Sequence, residues 1–348
     1  MRLALGRVLA QRPASFTRNY FGTRISSQSA RTMATAVTSS TPSPVELQTT
    51  ADFGEFLNNH DTILFDMDGV LWRGPSGSEL TPQIVECLSY LRSRGKQLAF
   101  VTNNATRSRS EYLDKMHKFG FVETTIDEIF TCGSASASYL RDVALPEIKD
   151  ATKRGVYLIG QASMEQELKE VDVDWKGGTD PEDDVLLPPQ DFESITHDPS
   201  IGIVLYSFDM RVNYKKLAKA FNYLNHGARL VLTNDDHSMR GTTGVVLPGE
   251  GAIAATLLSV PNVQSVVVGK PNQPLLDVVH RALQFDPART VFVGDRLETD
   301  VMFGKRAGLS TLLVWTGQSK RHDLVGLPAD QLPLYTAESV GSLLKAQA

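Results

Sequence analysis

From Asp61 onward the chain repeats one pattern: short runs apolar at every position, separated by helix-like stretches of about 10 to 20 residues. The runs are Ile63–Phe65, Leu98–Val101, Val156–Ile159, Ile201–Leu205, Leu230–Leu232, Val266–Val268, Val291–Val293 and Thr311–Val314. A strand with one wet face alternates apolar and polar residues, whereas a run without alternation needs cover on both faces, as in a parallel sheet. Helical spacing fills the gaps. In Asn213–Leu224, Tyr214, Leu217, Ala218, Phe221 and Leu224 recur at intervals that align on one helical stripe. Strand and helix in alternation predict an α/β architecture, a doubly wound parallel-sheet (Rossmann-like) core. At 348 residues the chain is comfortable for two domains.

The composition narrows the function. Apolar residues at 41% and charged residues at 22% describe an ordinary globular protein. Two cysteines, Cys87 and Cys132, are too few for a disulfide scaffold or a cysteine-rich zinc site and fit space-filling in a reducing compartment. A net charge of -5 provides no general basic field for nucleic acid, and no run of about 18 apolar residues offers a membrane span. The charge is uneven. Met1–Val45 holds Arg2, Arg7, Arg12, Arg18, Arg24 and Arg31 and no acid, so the remainder carries -11. An Arg- and Ser-rich, acid-free leader has the signature of a mitochondrial transit peptide, and a start at Met33 would leave the product in the cytoplasm. Residues 1–50 are therefore set apart from the fold. The segment Thr179–Ser200, rich in Asp, Glu and Pro, reads as an acidic surface loop within an inserted domain. The glycine-bearing stretch Arg240–Gly251 reads as a hinge and turn.

Four apolar runs end in residues able to do chemistry. Ile63–Phe65 leads into Asp66, Asp68 and Gly69; Leu98–Val101 into Thr102, Asn103 and Asn104; Val266–Val268 into Lys270; and Val291–Val293 into Asp295, with Asp300 five residues on. Open parallel sheets bind ligands beyond the carboxyl ends of their strands. If the four strands are parallel and adjacent, these residues share one crevice. Carboxylates without His or Cys partners select a hard cation, most naturally Mg²⁺. Lys270, Thr102 and Asn103 suit a phosphoryl group. Asp66 and Asp68 stand two apart, on the same side of an extended strand, so one can act as nucleophile and the other as general acid and base.

The same residues carry a family resemblance. Asp-Met-Asp-Gly-Val, Val-Thr-Asn-Asn, Gly-Lys-Pro and Gly-Asp-Arg-Leu-Glu-Thr-Asp, in this order, resemble the four motifs of the haloacid dehalogenase superfamily of phosphatases. Trp72, Gly74, Phe208-Asp209, Asn213-Tyr214, Thr233-Asn234 with Asp236, and Leu247-Pro248-Gly249 narrow the resemblance to the 4-nitrophenylphosphatase and phosphoglycolate phosphatase group. The resemblance implies Asp66 as nucleophile and Asp68 as acid/base. It also implies Mg²⁺ on the Asp66 carboxylate, the Asp68 carbonyl and Asp295. Thr102, Asn103, Asn104 and Lys270 would bind the substrate phosphate, and Asp300 would orient Lys270 or a metal-bound water. It further implies a cap at residues 138–262 inserted between core segments 51–137 and 263–348, with a homodimer formed through the cap. The expected activity is hydrolysis of a small phosphorylated metabolite, such as 2-phosphoglycolate or 4-nitrophenyl phosphate, through an aspartyl-phosphate. A mutase on the same core and a regulator that binds phosphorylated ligands without turnover are the alternatives.

Overall fold

The computed structural model describes residues 43–347, apart from 75–76, 188–190, 192–193 and 241–244. The arginine-rich leader through residue 42 lies outside the described residues. Residues 45–49, placed with the leader by the sequence, already belong to the fold. Val45–Glu46 pairs with the strand Tyr335–Ala337, Leu47 is buried, and Thr49 caps the helix Thr50–Asn59 in a reciprocal box with Asp52.

A seven-stranded sheet runs in the order Val45–Glu46, Tyr335–Ala337, Ser310–Val314, Thr290–Gly294, Thr62–Phe65, Gln97–Thr102, Ile129–Thr131, and every pair is parallel. From Thr62–Phe65 the chain first builds outward to Gln97–Thr102 and Ile129–Thr131. It later returns to the opposite side as Thr290–Gly294. The strand order therefore reverses at Thr62–Phe65, the position where a doubly wound sheet opens its binding crevice. Phe65 lies level with Val293 on one neighbour and Phe100 on the other. The next residues along these strands thus leave the sheet together.

A second, five-stranded parallel sheet has the order Ser265–Val267, Arg229–Leu232, Ile201–Tyr206, Gly155–Ile159, Lys176–Gly177. The small-residue helix Cys132–Tyr139 lies in the apolar cluster that joins the two sheets. Ala135, Ala137 and Leu140 belong with Leu64, Ala99 and Val101 of the larger sheet and with Val156, Leu158 and Ile203 of the smaller. The small side chains of this helix, Gly133, Ala135 and Ala137 among them, leave room for apolar residues of both sheets in one cluster.

The sequence reading needs correction at several points. Ser265–Val267 is the outer strand of the smaller sheet, not the start of the second core segment at 263, and its exposure fits an edge. Helix Tyr214–Asn225 forms where expected, but it buries Lys216, Ala220, Tyr223 and Leu224 while Tyr214 and Phe221 are exposed. The face turns because Lys216 is drawn inward by Asp209 and Asp184, each 2.9 Å away. The acidic segment is largely exposed, as expected of a surface loop, but is pinned at two of its acids. Asp183 is buried, accepts from the Tyr157 hydroxyl at 2.8 Å and pairs with Lys219, and Asp184 also pairs with Arg211 at 2.6 Å. The expected hinge at 240–251 contains one arm of an antiparallel pair, Ser238–Arg240 with Val246–Pro248.

Candidate active site

Asp66 follows the last residue of Thr62–Phe65, and its N–H donates to the Val293 carbonyl at 2.8 Å, holding the strand ends side by side. The chain then turns. Met67 accepts from the N–H of Leu71 at 2.9 Å, and Gly69 takes φ 91°, open to glycine at little cost. A Cβ on Gly69 would also stand 2.5 Å from Asp295 Oδ2. The extended backbone thus ends before Asp68, so the same-side argument does not apply to it. Both carboxyl groups nevertheless line one crevice of about 700 Å³. Their partners differ. Asp66 Oδ1 accepts from Lys270 Nζ at 2.6 Å, whereas Asp68 accepts from Trp72 Nε1 at 2.7 Å and Asn104 Nδ2 at 3.0 Å.

Asp66, Asp295 and Asp300 are buried, and each presents a carboxylate oxygen within 4.8 Å of the others. Lys270, itself buried, touches two of them: Asp66, and Asp300 at 2.9 Å. One ammonium therefore faces three carboxylates. Burial, reinforced by Asp300 and Asp295, holds Asp66 well above the usual carboxylate range despite Lys270. Burial and then Asp300 push Asp295 up to about 7 against the N–H of Gln318. Burial pulls on the Lys270 ammonium in the other direction, but Asp300 and Asp66 outweigh it and keep it charged. Asp295 Oδ1 is buried without a hydrogen-bond partner. An orphaned carboxylate oxygen within a cluster of three buried carboxylates fits a hard divalent cation. Of the three carboxylates, Asp66 and Asp295 have the capacity to hold one. Asp300 is already engaged, Oδ1 on Lys270 and Oδ2 on the N–H groups of Asp295 and Arg296, both at 3.1 Å. It fixes the lysine and the loop that presents Asp295.

The other predicted residues gather here with different duties. Thr102 ends its strand buried, its hydroxyl accepting the Asn104 N–H at 3.0 Å. The Asn103 amide clasps the main chain of Lys270, accepting from its N–H at 2.7 Å and donating to its carbonyl at 3.0 Å. Asn104, expected at the phosphate, lines the same crevice, where it donates to Asp68 and accepts from the N–H and hydroxyl of Thr106. Lys270 reaches the larger sheet from a strand of the smaller one. The four strands expected to be adjacent are thus three neighbours and one edge strand of the other sheet, joined where Asn103 grips Lys270. The Asn103 carbonyl also accepts from Cys132 Sγ and Asn234 Nδ2.

Sequence reasoning missed Gly317 and Gln318. The Gln318 N–H donates to Asp295 Oδ2 at 2.6 Å, and a Cβ on Gly317 would sit 1.8 Å from the same oxygen. Their signal was present: they follow the fully apolar run Thr311–Val314, and the strand-end rule was not extended to it.

Glu250, at the start of the helix Glu250–Leu258, is a buried acid lining the same crevice. Burial raises it from 4.5 to about 8, against bonds from Thr233 and Asn234 and with repulsion from Asp236. Between these values the folded chain keeps a proton that the unfolded chain releases. This contribution to stability is therefore full below pH 4.5 and declines as pH rises towards 8. Each unit of displacement corresponds to about 1.4 kcal/mol. Glu250→Gln is expected to melt several degrees above wild type at pH 9, the gap narrowing towards pH 5. Thermal melts across that range provide the measurement, and parallel curves would contradict it.

Residues 63–174 match the family model described as haloacid dehalogenase-like hydrolase, and residues 267–343 match a related model of HAD-hydrolase-like proteins. The 4-nitrophenylphosphatase of Schizosaccharomyces pombe is 38% identical over 300 residues, 86% of this chain and 98% of the relative. The chain belongs to the haloacid dehalogenase-like hydrolases. Within this family it is also 33% identical to phosphoglycolate phosphatase 2 of Arabidopsis thaliana over 303 residues, 86% of this chain and 97% of that one. The crystal structure of 4-nitrophenylphosphatase from Thermotoga maritima superposes with TM-score 0.67 at 26% identity, over 84% of this chain and 98% of the other. The two-sheet architecture is that of haloacid dehalogenase-like hydrolases.

Proposed function

We propose that this haloacid dehalogenase-like hydrolase is a Mg²⁺-dependent phosphatase of small phosphomonoesters, of the 2-phosphoglycolate and 4-nitrophenyl phosphate kind. The observation that carries the reading is the buried Asp66–Asp295–Asp300 set with a single ammonium, Lys270, and an unpartnered Asp295 oxygen. Asp66 attacks phosphorus as the P–O bond to the leaving group breaks, and the Asp68 carboxylic acid gives its proton to the departing oxygen. Asp68, now a carboxylate, takes a proton from water. The water oxygen attacks the aspartyl-phosphate, the bond to Asp66 breaks, and inorganic phosphate leaves. Lys270 offsets the charge that would otherwise repel a phosphate dianion from Asp66. Mg²⁺ would be held by the Asp66 and Asp295 carboxylates and the Asp68 carbonyl, and would supply further charge neutralisation there. The Asp236–Arg296 pair, at 3.3 Å, ties a loop of the smaller sheet to the Asp295 loop and helps to enclose the crevice.

An assay of phosphate release from 2-phosphoglycolate and 4-nitrophenyl phosphate is expected to fall to background with EDTA and to recover on adding Mg²⁺ in excess. Turnover indifferent to chelation would overturn the metal dependence. Binding without phosphate release would favour a regulator, and transfer to a sugar would favour a mutase. The arginine-rich leader supports mitochondrial import when translation begins at Met1, with a cytoplasmic form from Met33. The resemblance supports a homodimer formed through the domain of the smaller sheet.

A further inference from the structure

Asp68 is held on both sides. Trp72 Nε1 reaches Oδ1 at 2.7 Å and Asn104 Nδ2 reaches Oδ2 at 3.0 Å. Neither group can take a proton. The indole N–H only donates, and the one acceptor of Asn104, Oδ1, is occupied by Thr106 through its N–H at 3.0 Å and its hydroxyl at 2.6 Å. A protonated Asp68 therefore finds no acceptor within this pair, and its O–H has to turn to whatever occupies the crevice. The two donors are themselves rigid. Trp72 is fully buried, stacked on Tyr112 with ring centroids 6.3 Å apart and tilted against Phe119 at 6.0 Å. Lys115 Nζ lies 3.8 Å from the centre of the indole. A cation over the ring withdraws electron density and strengthens the N–H as a donor. Asn104 is fixed by its turn with Thr106.

We propose that Trp72 and Asn104 are positioning residues for proton transfer by Asp68, one donor on each carboxyl oxygen, so that the acidic proton is presented to the leaving group. The proposal rests on the reading of Asp68 as the general acid. Its consequence depends on how much help the departing oxygen needs. A 4-nitrophenolate leaves readily as an anion, whereas a phenolate without the nitro group depends more on protonation.

The test compares kcat/KM, which reports the first phosphoryl transfer, for phenyl, 4-chlorophenyl and 4-nitrophenyl phosphate. Trp72→Phe keeps an aromatic ring beside Tyr112 and Lys115 but removes the N–H. Asn104→Ser keeps an acceptor for the Thr106 N–H but is too short to reach Asp68, and it serves if the tryptophan variant does not fold. Each variant is expected to lose about tenfold more kcat/KM on phenyl than on 4-nitrophenyl phosphate, a fraction of the hundredfold or more that positioned proton transfer contributes. A loss equal for all three esters would overturn the proposal and mark the pair as structural. Asp68→Asn, measured in parallel, separates the two levels. If Asp68→Asn discriminates steeply among the leaving groups and the other variants do not, the positioning role fails alone. If Asp68→Asn does not discriminate, the reading of Asp68 as the acid fails with it.

Discussion

Replacing Asp66 by Asn is expected to lower turnover more than a hundredfold while leaving the fold intact. The amide is close in size to the carboxylate, so the packing at the strand end survives. It is, however, a poor nucleophile and cannot form the acyl phosphate on which covalent turnover depends. The variant should not melt below wild type in the absence of metal. In the wild type, burial and two neighbouring carboxylates disfavour the ionised Asp66, and the substitution removes that charge while Lys270 retains Asp300. Stabilisation by added Mg²⁺, which follows mass action, should shrink because one of its anionic ligands is neutral. Initial rates, together with melting curves with and without Mg²⁺, read both effects. Retention of more than about one hundredth of the activity would argue against covalent catalysis by Asp66.

The second large effect is expected from Lys270→Met, in stability as well as in rate. The ammonium contacts Asp66 at 2.6 Å, Asp300 at 2.9 Å and the Val101 carbonyl at 3.0 Å. Removing it leaves two buried carboxylates facing one another without their common cation, a change that costs about 3–5 kcal/mol in comparable buried pairs. Loss of a preorganised charge at the reacting phosphoryl group should lower kcat by about two to three orders of magnitude. The pH dependence follows from the sign of the shift. Burial already raises Asp66, and without the opposing pull of Lys270 its carboxyl group binds a proton still more tightly in the folded chain than in the unfolded one. The variant should therefore recover stability as pH falls and lose it as pH rises. Urea denaturation at pH 5.5 and pH 8 is expected to show a smaller gap from wild type at the lower pH. An equal gap at both values would mean that the two carboxylates do not depend on the lysine.

The parallel strands were legible because full burial leaves a plain mark, an apolar residue at every position. Residues at the ends of those strands were legible as chemistry because polar groups there have few structural reasons to follow such runs. Ser265–Val267 was misplaced because an apolar run carries no label for the sheet it joins. The buried face of Tyr214–Asn225 was misread for a related reason. Periodicity counts apolar residues, and here a lysine goes inward to meet Asp209 and, from a segment that reads as surface, Asp184. Asn104 shows a related limit on a smaller scale: its amide suits an anion, and only the folded chain shows that Asp68 is one such partner.

By itself the sequence determined an α/β protein whose strands end in aspartates, a lysine and hydroxyl and amide groups. Covalent neighbours and apolar patterning suffice for that much. The tertiary structure alone decided that Lys270 arrives from the edge of a different sheet and that one ammonium serves Asp66 and Asp300 while an oxygen of Asp295 is left unpaired. It also decided that Asp68 is held by Trp72 and Asn104. These pairings span up to 204 residues of chain, and their strength depends on burial and distance, neither of which is a property of local sequence.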